Sequence, residues 1–178
     1  DFILVGLKTV LEERYNPPKL DNELAAFRES SGKDRLPRVV VASNSLEIDP
    51  GIPLFASELY SPILVTSESS PLNKRQSLAK KYDIVLSGEE RVDFREAINA
   101  LTEGKGGIVL VEGGPSINKQ LVAADLFDEL CITVSPFHSN DASGELVTTD
   151  KSYPDGDMEE ARRIEVNDYI FYRYLRKR

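Results

Sequence analysis

The sequence predicts an α/β fold with a mostly parallel, mixed sheet and antiparallel strands at its C-terminal end. Three observations carry this reading. The runs 3–5, 39–41, 63–65 and 108–111 are short, apolar and rich in β-branched residues, as strands buried on both faces are. Helical spacing of apolar residues recurs between them, which is the alternation of a parallel layered sheet. The tail instead shows two strand-like runs, 163–166 and 169–175, joined by Asn167-Asp168, a pair suited to a hairpin turn.

Taken in order, residues 2–7 make the first strand, ending at Gly6. Residues 9–13 begin a short helix with Thr9 near its amino end, and Asn16-Pro17-Pro18 stops it. Residues 21–28 form a weak helix and 30–34 a loop. The second strand, 37–43, ends in the polar mouth Ser43-Asn44-Ser45; Asp49-Pro50-Gly51 is a turn. The third, 62–67, ends at the hydroxyls of Thr66 and Ser67. A basic helix spans 72–82, a short strand 84–86. Over 92–102, Phe94, Ala97, Ile98 and Leu101 keep one helical face. After the strand 108–111 come Gly113-Gly114 and a helix opening at Pro115, a position where the missing N–H costs nothing. Ile117, Leu121 and Ala124 continue that helix on one face. Another strand covers 128–134. A polar, acidic connector runs from His138 to Met158, a length that marks functional or irregular segments. The tail strands then add to one edge of the sheet.

Composition excludes several classes. The 178 residues carry a net charge of -8, which argues against a nucleic-acid or anionic-membrane surface. One histidine and one cysteine leave no multi-histidine metal site, no internal disulfide and no paired-cysteine knuckle, so no metal is expected. Cys131 sits in a strand pattern and reads as a buried thiol rather than a nucleophile. No apolar run reaches membrane-spanning length, no signal peptide is visible, and a cytoplasmic location follows as an expectation. Asp1 opens directly onto a core strand, which needs neighbours, so a single domain over 1–178 is expected that lacks a segment upstream.

The stretch around Gly113-Gly114 organises the functional reading. Two glycines let a ligand approach the backbone, and the N–H groups at the following helix start favour an anion. The alternative is a turn that uses glycine for geometry alone. In open α/β sheets ligands sit beyond the carboxyl ends of the strands. Four such ends carry small or hydroxyl residues: Gly6 with Thr9, Ser43 with Asn44, Thr66 with Ser67, and Gly113 with Gly114. If those strands are parallel neighbours, the ends converge on one groove suited to a dinucleotide. The usual GxGxxG fingerprint is absent.

The string Val111-Glu112-Gly113-Gly114-Pro115-Ser116-Ile117, followed by Leu121, Ala123-Ala124, Asp128-Glu129-Leu130 and Val134-Ser135-Pro136, resembles the pyrimidine-reductase domain of riboflavin biosynthesis. That domain belongs with the dihydrofolate-reductase-like folds, of three-layer α/β/α type. Gly6-Leu7-Lys8-Thr9-Val10, the 37–43 strand and Tyr172-Arg173-Tyr174 are similar to further segments of the family. The resemblance implies an NADPH-dependent reduction of a phosphoribosylaminopyrimidine, 5-amino-6-(5-phosphoribosylamino)uracil, whose ribosyl group becomes ribityl. It implies cofactor contacts at Thr9, Glu13 and Ser43, to which the strand-end reading adds Thr66. It also implies a pyrophosphate cradle at Gly114, Pro115, Ser116, Ile117 and Asn118, which the two-glycine reading extends to Gly113, and a substrate contact at Glu112. It implies, too, that the segment lacking upstream of Asp1 is an N-terminal strand and helix. From the residues alone, Thr9 and Ser43 serve equally as turn caps, Glu13 as a solvated charge. Glu112 holds either substrate or backbone N–H groups, since a carboxylate at a buried strand end needs a partner. No residue stands out as a general acid. The basic residues the family places after the Thr-Val segment are missing; Lys19 is a candidate replacement for a phosphate contact, without an arginine's fork.

NADPH is expected to be preferred over NADH. Ser43, Asn44, Thr66 and Ser67 suit a 2′-phosphate, Lys74 or Arg75 adds charge, and no carboxylate stands at those strand ends to select a ribose diol. A homodimer through the C-terminal strands is expected, because 169–175 is aromatic on both alternating faces and such an edge is adhesive unless covered. Rival readings are a reductase acting on a pterin and a non-catalytic, dimeric nucleotide-binding module.

Overall fold

The computed structural model describes residues 1–104, 107–137 and 157–177. The chain divides into two compact units, Asp1–Ile117 and Asn118–Arg178. The first contains β1 (Phe2–Gly6), α1 (Leu7–Glu12), α2 (Asn22–Ser30), β2 (Arg38–Ala42), α3 (Pro53–Ala56), β3 (Ile63–Thr66), α4 (Leu72–Leu78), β4 (Asp83–Leu86), α5 (Phe94–Leu101) and β5 (Val109–Gly113). Its strands form one parallel sheet in the order β4-β3-β2-β1-β5. The four apolar runs expected in one sheet therefore lie side by side.

Register explains why the runs in β1, β2 and β3 are apolar throughout. Val5, Val41 and Leu64 are neighbours on one face, where Val10, Leu54, Phe55 and Tyr82 complete the core cluster. Leu4, Val40 and Ile63 are neighbours on the other face and are also buried. Strands covered on both sides have no use for alternation. The run 108–111 departs from that expectation: β5 is an edge strand of this sheet, and Ile108 and Leu110 are exposed.

Helix starts follow local chemistry. Asp21 caps α2 by accepting from the Leu24 N–H, and Asp93 caps α5 by accepting from Arg95 and Glu96, each satisfying donors that the helix cannot. The α3 turn was not anticipated. Pro53 begins it, and four residues are too few for a periodicity signal. Before β3, Tyr60 places its hydroxyl at the start of β2, accepting from the Val39 N–H at 2.6 Å and donating to the Pro37 carbonyl at 2.8 Å.

The remaining elements are α6 (Pro115–Ala123), which begins at the end of the first unit, then β6 (Glu129–Val134), β7 (Met158–Val166) and β8 (Tyr169–Arg176). The antiparallel strands are present, but not as an extension of the parallel sheet. They form their own three-stranded sheet, β6-β8-β7. β8 has both edges occupied, by β6 along Glu129↔Leu175 to Val134↔Ile170 and by β7 along Met158↔Arg176 to Val166↔Tyr169. The turn between β7 and β8 is the expected Asn167-Asp168, with φ of 49° and 65°. Two successive left-handed residues match the twist of a tight hairpin, and Asn and Asp tolerate them best after glycine. Tyr169 stacks on Phe171 and Tyr172 on Tyr174, so both faces of β8 are aromatic as read.

Cys131 departs from expectation: it is exposed. Strand β6 lies in the small sheet, where Cys131 pairs with Arg173. Desolvation and then the Glu129 carboxylate raise its pKa, the opposite of nucleophile activation. Glu129 is itself held by a two-pronged contact from Arg173, both distances 2.7 Å. His138 and the acidic connector as far as residue 156 lie outside the described residues.

Candidate functional site at the carboxyl edge of the parallel sheet

All five strands of the first unit run the same way, so their carboxyl ends share one edge. Gly6, Ser43, Thr66 and Gly113 stand along it, as the strand pattern anticipates. At its β1–β5 end the Gly113–Gly114 peptide is cis, and Gly113 has φ of 78°. The positive φ thus falls on Gly113, not on Gly114.

Gly114 is constrained by space instead. Its N–H donates to Thr9 Oγ1 at 3.2 Å, and a Cβ built on it would meet the same oxygen at 3.1 Å. A Cβ on Gly6 would meet Ile117 Cδ1 at 3.3 Å and the Gly113 carbonyl at 3.7 Å. Thr9, Gly6 and the Gly113-Gly114 step therefore form one close-packed cradle. Pro115 and Ser116 are exposed in the first turn of α6, Ile117 is buried with its N–H on the Gly114 carbonyl, and Asn118 follows one position on.

The other expected cofactor residues are differently placed. Ser43 accepts from the Leu46 N–H at 3.0 Å, so its hydroxyl caps its own loop. Glu13 is exposed and follows α1, its N–H on the Thr9 carbonyl. Thr66 is fully buried, and its hydroxyl oxygen has no hydrogen-bond partner among the described residues. The Nε of Arg75 is also buried without one. Lys74 donates to the Ser45 carbonyl at 3.1 Å and pairs with Glu47. A carboxylate does therefore stand beside these strand ends, and the Lys74 charge is matched by it. Lys19 is exposed, and Arg14 reaches the Gly51 carbonyl at 3.4 Å.

Glu112 shows the largest gain over sequence reading. Between β1 and β5 the register runs Leu4↔Val111 and then Val5↔Gly113. Glu112 is the extra residue of this bulge, a device that re-aims a side chain. It accepts from the Tyr15 hydroxyl at 2.6 Å. Its partner is thus a phenol rather than the backbone N–H groups considered from sequence. Burial and then the Glu112 hydrogen bond hold Tyr15 well above the ordinary tyrosine pKa, so the phenol remains a donor. Sequence reading missed Tyr15, because an aromatic residue two places before Pro17-Pro18 carries no pattern of its own.

A family model for the RibD C-terminal domain matches residues 1–153. The chain belongs to the RibD C-terminal domain family. Curated relatives from Archaeoglobus fulgidus and Methanothermobacter thermautotrophicus, each named 2,5-diamino-6-ribosylamino-4(3H)-pyrimidinone 5′-phosphate reductase, are 27% identical over 136 residues and 28% over 137. Each alignment covers 76% of this chain, and 62% and 59% of the relatives. The chain spans about three-fifths of the length of these relatives. A pyrimidine reductase-like protein from Corynebacterium diphtheriae superposes with a TM-score of 0.82 at 24% identity, covering 100% of this chain and 76% of that one. RibD from Acinetobacter baumannii gives 0.71 at 16% identity, covering 98% and 46%. These likenesses establish the dihydrofolate-reductase-like α/β fold of the RibD reductase domain. No helix among the described residues is long and apolar enough to cross a membrane.

Proposed function

We propose that this RibD-family chain is an NADPH-dependent reductase that converts the ribosyl group of a phosphoribosylaminopyrimidine to ribityl. The observation that carries the proposal is the Thr9–Gly114 contact, in which a side-chain-free step meets a helix start at the carboxyl edge of a parallel sheet. Backbone exposed there suits a pyrophosphate. Thr9, Gly113, Gly114, Pro115, Ser116, Ile117 and Asn118 would hold it. Thr66, with its unpartnered buried hydroxyl, and Ser43 and Glu13 would line the remainder. When bound, the dinucleotide supplies the hydride. The chain's own contribution is positional: it places the acceptor and excludes competing water. Glu112 would bind the acceptor, its carboxylate matching ligand O–H or N–H groups.

The 2′-phosphate preference has weaker support than the cradle, since Lys74 is already paired with Glu47; Arg75 and the hydroxyls remain its basis. The named relatives are reductases of a diaminopyrimidinone, whereas the uracil analogue carries an oxo group in place of one amine. Both acceptors belong in the test. Consumption of NADPH by the full-length protein with either phosphoribosylaminopyrimidine, faster than with NADH, is the expected result. Turnover of a dihydropterin alone would favour the pterin reading, and binding without turnover of any acceptor the non-catalytic module.

We also propose that the protein is a homodimer through its C-terminal strands. Ile164, Val166 and Phe171 are exposed on the small sheet, and Phe171 pairs with Ile164 and Tyr169 with Val166, so the apolar residues gather on one face. Sedimentation of the full-length protein should give a dimer mass that falls on dilution; a monomer mass at every concentration would remove the proposal.

A further inference from the structure

We propose that Tyr15 is the positioning residue for Glu112, fixing one carboxylate oxygen so that the other meets donor groups of the acceptor's sugar or amine. The inference rests on the reading that Glu112 contacts substrate. Glu112 is exposed and occupies a bulge, so packing does not hold its long side chain. An unrestrained glutamate loses about 1.5–2 kcal/mol of rotamer freedom when fixed. A partner that holds it beforehand removes part of that cost from the binding step.

Tyr15 is built for the task. Arg14 before it has φ of 48°, and this left-handed residue turns the chain back after α1. The Tyr15 N–H then donates to the Val10 carbonyl at 3.1 Å, and its own carbonyl accepts from the N–H of the fully buried Leu54 at 2.9 Å. Its ring packs against the core cluster. With the backbone held on both sides and only two side-chain torsions, the hydroxyl has little freedom. It donates to Oε2 of Glu112 at 2.6 Å, a charge-assisted contact of the stronger kind. The rest of the carboxylate stays open to ligand donors.

The same geometry defines the ligand class. Glu13 adds a second negative charge to the surroundings of Tyr15, while Arg14 is directed to the Gly51 carbonyl. The Glu112 carboxylate accepts from hydroxyl or amine groups of a ligand.

The test is a double-mutant cycle in steady-state turnover of the full-length protein, with NADPH and the phosphoribosylaminopyrimidine. Tyr15→Phe keeps the ring and its packing, so its melting midpoint should stay close to that of the parent. Its kcat/KM for the acceptor should fall about 10-fold or more, in the range of a lost hydrogen bond to a charged group. NADPH affinity should not change. In a Glu112→Ala background, which leaves the Tyr15 hydroxyl no carboxylate to hold, Tyr15→Phe should cost little further, because the two act as a unit. Parent-like turnover of Tyr15→Phe, or losses that multiply in the double variant, would overturn the proposal while leaving the reductase reading intact. No turnover by the parent would remove the reductase reading and this role with it.

Discussion

Gly114→Val is expected to abolish dinucleotide binding. The first added carbon would already lie 3.1 Å from Thr9 Oγ1, closer than ordinary van der Waals contact. Valine's two further methyl groups must go either into that oxygen or outward, over the step where a pyrophosphate would rest. Either outcome removes the cradle. The first separates Thr9 from the Gly114 N–H, and the second fills the anion's space. An affinity loss of about 100-fold, equivalent to about 2.7 kcal/mol, is the expected minimum. Calorimetric titration of the folded variant with NADPH measures it. Since the step also connects a strand to a helix, circular dichroism must first show parent-like content. A folded variant that binds NADPH as tightly as the parent would reduce the two glycines to turn geometry. The non-catalytic reading would then need a different nucleotide site.

Glu112→Gln should produce the complementary phenotype. The amide keeps the size, and its carbonyl still accepts from Tyr15, so neither the bulge nor the sheet is disturbed. What disappears is the negative charge offered to ligand donors. Cofactor affinity is therefore expected to stay within about twofold of the parent, while kcat/KM for the pyrimidine acceptor falls about 10- to 100-fold. Equal losses in NADPH affinity and in turnover would mean that Glu112 supports the cradle rather than the acceptor. Unchanged turnover would remove it from the site.

The centre of the parallel sheet was readable because β2, β3 and the middle of β1 are buried on both faces, and continuous apolar runs have few other uses; β5 carries the same kind of run with Ile108 and Leu110 exposed. The hairpin turn was readable for a similar reason, since two left-handed residues in succession restrict the choice to a few side chains. Thr9 and Gly114 meet as expected, because parallel pairing of β1 and β5 brings their ends together. Beyond α3, Tyr15 and the exposure of Cys131, three features escaped sequence reading. The bulge at Glu112 is a slip of pairing between strands over a hundred positions apart, invisible to local pattern. The separate antiparallel sheet depends on which edges β8 uses, and alternation in one strand does not encode its neighbours. The Lys74–Glu47 pair joins α4 to the loop after β2 and cancels a charge that composition had left available.

The hydroxyl of Tyr60 has a consequence for how the first unit opens. It takes up one donor and one acceptor at the head of β2, a place that β3, beginning only at Ile63, does not reach. A phenol more than twenty positions along the chain thus serves as the last rung of the ladder. The Val39 amide cannot exchange with solvent until that ring swings away. Tyr60 also donates its own N–H to Ser57, so the segment after α3 and the head of β2 open together. Fraying of this sheet therefore begins, or is prevented, at a side chain outside every strand.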